Sequence, residues 1–163
     1  KYDVISNTTG VWHYGNPGMK KIKGDRADQQ FMLKSLIDHG AKMSLGSDFP
    51  VDEYGPEPLK GMEMGITRQF FGQPDAIILQ PLEERLSINQ VIEGYTVNAA
   101  YQLGMEDKLG SIEARKYADL VVLEQNIFDV DTYQIHKIPV GMTLQSGKIV
   151  YNNEEIELSD AMI

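Results

Sequence analysis

Asp48 is the carboxylate best placed to do chemistry. It lies in Leu45-Gly46-Ser47-Asp48-Phe49-Pro50, at the close of a short apolar run, and an aromatic residue and a proline follow it. An aspartate just past a strand can bind a metal ion or take a proton from a water. An aspartate in a turn can equally well accept a bond from a following backbone N–H. Spacing alone leaves both readings open. The histidines His13, His39 and His136 form neither H-x-H nor H-E-x-x-H, so the chain holds no zinc motif. His39 precedes Gly40 at a predicted helix end, where the helix dipole accounts for it. His136 sits in the tail, with no acidic or histidine partner expected nearby. His13 follows the first predicted strand and is a second candidate site residue. The adjacent carboxylates Asp52-Glu53, Glu83-Glu84 and Glu106-Asp107 point different ways and are expected to be solvated.

The elements that must position Asp48 are legible from the apolar period. Asp3 to Ser6 reads as a short strand, and Asn7 to Gly24 as a polar, glycine-rich loop. A helix is predicted from an Asp25 N-cap, with Ala27, Phe31, Leu33, Leu36 and Ile37 on its apolar face and Gly40 past its end. Ala41 to Leu45 alternates as a strand. Pro50 to Pro58 is a loop, and Pro58 suits the first turn of a second helix bearing Leu59, Met62, Ile66 and Phe70. Ser87 and Gln90 form a capping box for a third helix that runs to Gly104. From Gly110 the texture is β: Asp119–Leu123 is a strand, and Gly141–Gln145 and Lys148–Tyr151 flank a Ser146-Gly147 hairpin turn. The order is α/β with parallel strands first and a small separate sheet after it.

Bulk composition excludes several partners. The 163 residues carry 15 basic and 24 acidic side chains, a net charge of −9. That balance argues against nucleic acid and against an anionic membrane surface. No run approaches the length of a membrane span. With no cysteine, the chain offers neither a disulfide nor a thiolate nucleophile, and a cytoplasmic location is expected.

Several stretches together resemble one family. Gly46-Ser47-Asp48-Phe49-Pro50-Val51 resembles the "GSD-x-PV" segment of the metal-dependent amidohydrolases, specifically the amidohydrolase-3 (YtcJ-like) branch. Gly94 to Tyr101 resembles its "YT-x-NAAY" helix, and Ile66-Thr67-Arg68 a "TR" in the helix after the catalytic loop. Gly110 to Glu113 with Lys116 to Leu123 resembles "GSIE-x-GK-x-ADLVVLD", and Ser146 to Tyr151 a closing "xGK-x-VY". One departure is visible: Ala114-Arg115 replaces the family's Pro-Gly, in a turn of the β part.

The resemblance implies the C-terminal part of a TIM-like (β/α)8 barrel, over residues 1–109. Residues 110–163 would be the C-terminal strands of a small composite β-sandwich. Asp48 would be the aspartate ending the eighth strand, contacting the catalytic metal and handling its proton. A divalent metal, zinc by expectation, would belong to the full-length parent, whose other ligands lie upstream, and this chain alone would hold none. The implied activity is hydrolysis of non-peptide C–N bonds in a small-molecule substrate, silent in this chain by itself. The chain would dock on the missing N-terminal part of the barrel, or self-associate. Two other readings stand beside this one: a non-enzymatic α/β binding or assembly module, and a small hydrolase that joins His13 and Asp48 from different copies.

Overall fold

A computed structural model describes residues 4–51 and 54–153. Asp3, Asp52, Glu53 and residues 154–163 lie outside the described residues, so the expectation for Asp52-Glu53 is not addressed. Among the described residues the strands form two sheets. Strand β1 (Ile5–Thr9) pairs in parallel with β2 (Lys42–Gly46), in register from Ile5 opposite Lys42 to Thr9 opposite Gly46. Strands β3 (Leu120–Leu123), β4 (Val140–Gln145) and β5 (Lys148–Asn152) form an antiparallel sheet in that order. Ser146 and Gly147, at φ 50° and 77°, make the hairpin turn that their types predict.

Between β1 and β2 the chain is broken where one long helix was expected. Helix α1 (Pro17–Lys23) forms inside the predicted loop, because the Asn16 side chain accepts from Gly18 N at 2.8 Å and Pro17 suits the first turn. A 3-10 turn covers Gly24–Gln29, and helix α2 spans only Leu33–Asp38. Phe31, at φ 53°, interrupts the helix between them. The end of α2 is as expected: Gly40 N donates to Ile37 O and Ala41 N to Leu36 O, with Gly40 at φ 85°.

Helix α3 (Pro58–Thr67) ends at Arg68 in the left-handed region, so Phe70 lies beyond it. The capping box at Ser87 and Gln90 starts α4 (Ile88–Tyr95), and a break at Thr96 separates it from α5 (Val97–Gln102). Thr96 Oγ1 donates back to Ile92 O at 2.7 Å, a bond that competes with the helix ladder.

Met43 and Leu45 of β2 point at α4, where a Cβ on Gly94 would come within 3.0 Å of both side chains. With Leu33, Met62, Leu86 and Val91 they form the core, which also takes in Ile127, Ile135 and Ile138 from the tail. The stretch from Ile127 to Ile138 thus packs into this core, while β3, β4 and β5 form a sheet of their own, as expected. In the turn before β3, Arg115 sits at φ 79°. The resemblance puts a glycine at this position, where this chain carries arginine in the left-handed region. Arg115→Gly should relieve that backbone and raise stability by about 0.5–1 kcal/mol, read as a shift in urea midpoint.

Candidate active-site corner

Because β1 and β2 run in parallel, the segments after Thr9 and after Gly46 leave the same end of the sheet. Asp48 stands two residues past β2, exposed, with φ 55°. Ser47 Oγ accepts from Phe49 N at 3.2 Å, and Asp48 O accepts from Val51 N at 2.9 Å. The backbone of Asp48 thus closes the turn while its carboxylate stays open to solvent. The Phe49-Pro50 peptide is cis.

His13 follows β1 but is 1% exposed. Its Nε2 lies 3.2 Å from Thr8 Oγ1 and its ring 4.6 Å from that of Phe31. Burial first, then the Arg68 charge, lowers it from 6.5 to about 3. It is a neutral core histidine, and a site joined across copies could not reach it. Its lowered value has a thermodynamic consequence. Between pH 6.5 and 3 the unfolded chain binds a proton at His13 that the fold does not, so stability falls as pH drops through that window and is fully present above it. The slope from this group is at most about 1.4 kcal/mol per pH unit. His13→Gln should flatten urea midpoints measured between pH 7.5 and 5, relative to wild type.

His136 is the main correction. Its Nδ1 lies 2.7 Å from Glu63 Oε2 and its backbone N donates to the same oxygen at 2.9 Å. Glu63 Oε1 accepts from Gly72 N at 2.6 Å. The partner comes from α3, 73 residues earlier, which no local reading would find. Glu84 is a second correction. It is 3% exposed and accepts from Ser35 N at 3.0 Å and from Ser35 Oγ, capping α2 from outside. Glu83, Glu106 and Asp107 are exposed as expected. His39, exposed at the end of α2, lies 2.7 Å by Nδ1 from Ser35 O.

A polar hub that sequence reading missed is built around Arg68. Arg68, 1% exposed, donates through Nε to Leu79 O at 2.8 Å and through Nη1 to Phe31 O at 3.0 Å. Its Nη2 donates to Gln30 O at 3.2 Å and Gln80 O at 3.0 Å. Burial pulls the guanidinium down to about 10, so it stays charged at neutral pH. The available signal was Thr67-Arg68 itself, an arginine closing a helix whose last turns are buried.

Among the described residues, no group of three or more His, Asp or Glu could hold a metal ion. Asp48 alone offers one carboxylate, so these residues do not by themselves fit a metal. No helix among them is long and apolar enough to cross a membrane.

Comparison with known proteins gives the chain a family. The Amidohydro_3 model, of the Amidohydrolase family, matches residues 10–151. An N-substituted formamide deformylase of Arthrobacter pascens is 32% identical over 153 residues, covering 87% of this chain and 27% of that protein. A protein named "Probable imidazolonepropionase" of Xenopus tropicalis is 29% identical over 130 residues, covering 78% and 27%. The crystal structure of an amidohydrolase from Thermotoga maritima MSB8 superposes with TM-score 0.50 at 25% identity, over 74% of this chain and 25% of that one. The chain thus spans about a quarter of the length of the curated relatives it matches. With a family model matched along residues 10–151, this mixed α/β chain belongs to the amidohydrolase family.

Proposed function

We propose that these 163 residues are the C-terminal portion of a metal-dependent hydrolase of non-peptide C–N bonds, and that Asp48 is its proton-handling residue. The observation that carries the reading is the open Asp48 carboxylate at the end of β2, held in a left-handed turn within a family match that runs from residue 10 to residue 151. In this reading Asp48 takes a proton from the attacking water and returns it to the amine nitrogen as the C–N bond breaks. A divalent metal, zinc by expectation, would supply Lewis acidity, and Asp48 would be one oxygen ligand among others contributed outside this chain. The substrate is a small amide-type molecule. In this reading the protein works in the cytoplasm.

One feature supports the need for a larger barrel. Strands β1 and β2 form a two-stranded parallel sheet, and such a pair leaves edges that further strands would cover. Residues 1–109 would be barrel and 110–163 part of a β-sandwich. The test is hydrolysis of N-substituted formamides by this chain and by the full-length protein, each with zinc or manganese and with chelator. The expected result is chelator-sensitive turnover by the full-length protein and none by the chain alone. Metal-dependent turnover by the isolated chain would overturn the proposal.

A further inference from the structure

We propose that residues 16–29 form a lid that swings on its two ends and closes over residues 76–80. The lid does not depend on the role of Asp48. A hollow of about 840 Å³ separates the two segments. Pro17, Met19 and Ala27 line it from the lid, and Ile77, Ile78 and Leu79 from the opposite wall.

The lid is tied within itself and scarcely to the body. No residue of α1 is buried, and Ile22 is 78% exposed. In the 3-10 turn that follows, only Ala27 is buried. Among the described residues, the side-chain hydrogen bonds and ion pairs of residues 17–29 stay within residues 16–30. Lys20 pairs with Asp28 and, at 3.8 Å, with Asp25. Lys23 donates to Gln30 Oε1 at 2.7 Å, and Gln30 Nε2 donates to Ala27 O at 3.1 Å. Helix and turn are thus stapled into one unit. A unit with so few buried contacts opens and closes at low cost.

The opposite wall is fixed. Leu79 N donates to Arg68 O at 2.8 Å, and Gln69 Nε2 donates to Ala76 O at 2.8 Å. Arg68 donates to Leu79 O and Gln80 O. Both ends of the lid are pinned to this wall. At the start, Gly15 lies so near Ile77 that a Cβ would come within 2.5 Å of its carbonyl oxygen. At the finish, the guanidinium that holds Leu79 and Gln80 also takes the carbonyls of Gln30 and Phe31. Rotation about the line through these two pins brings Met19 down towards Ile78. Closure takes Ile77, now 58% exposed, and the apolar underside of the lid out of water, which supplies the drive.

The chain has no cysteine, so Met19→Cys with Ile78→Cys would carry its only thiols. A disulfide needs the two Cα atoms within about 7 Å, so cross-linking reports closure. Under mild oxidation the folded double variant should cross-link. In the wild-type chain, trypsin should cut first after Lys20, Lys21, Lys23 or Arg26, because cleavage follows the population of opened segments. Oxidation of the double variant should slow that cleavage at least about tenfold against the same variant reduced. The lid is overturned if the two thiols stay reduced in the folded chain, or if oxidation leaves the cutting rate unchanged. It is overturned equally if trypsin first cuts the wild-type chain elsewhere within residues 4–153.

Discussion

Asp48→Asn in the full-length protein is expected to lower kcat by about 10²–10⁴-fold, the usual worth of a positioned acid–base group. KM and thermal stability should barely move. The reason lies in the backbone. Asp48 holds φ 55° and its carbonyl closes the turn to Val51. Asparagine accepts the left-handed region as readily as aspartate does, so the turn survives and what is lost is the carboxylate's charge and proton affinity. Alanine would be a poorer probe, since it would add backbone strain to the chemical loss. Asp48→Gly makes the complementary control: it relieves the turn, removes the carboxylate, and should be as inactive as the asparagine variant. Activity within about tenfold of wild type in Asp48→Asn would return Asp48 to the status of a turn former, because general catalysis by that group would then be too small to measure.

Arg68→Met is expected to destabilise the chain by about 3–5 kcal/mol. The methionine fills most of the volume but leaves the carbonyls of Gln30, Phe31, Leu79 and Gln80 without the donors that now satisfy them. For a chain of this size the loss corresponds to a melting temperature lower by roughly 10 °C. Arg68→Lys should recover only part of it, because an ammonium on a flexible stem cannot reproduce a planar fork that reaches two segments at once. Thermal unfolding of both variants checks this. A change below about 1 kcal/mol in Arg68→Met would mean that water replaces the guanidinium at those carbonyls.

Elements fixed by local chemistry could be read from the sequence. The Ser87–Gln90 capping box, the Gly40 helix end and the Ser146-Gly147 hairpin each depend on residues a few positions apart. Strand β2 and the position of Asp48 at its end followed from period and from resemblance. What failed were features set by distant partners. The helix expected from Asp25 to Gly40 is cut at Phe31, whose carbonyl is held by an arginine 37 residues away. Glu84 looked solvated because its partner, Ser35, is 49 residues off. His136 looked solitary for the same reason. Strand β1 was placed too early, since Asn7, Thr8 and Thr9 look like loop until β2 pairs with them.

The carboxylate of Glu63 bears on how this family can be cut and spliced. It takes two of its hydrogen bonds from His136 and the third from Gly72. A chimera joined near Leu109, carrying a relative's β tail, would inherit α3 with a fully buried acid and lose both donors unless the incoming tail presents a matching histidine. The seam that looks natural along the sequence is therefore a poor crossover point, and a library recombined there should be enriched for survivors in which the Glu63 and His136 positions come from the same parent.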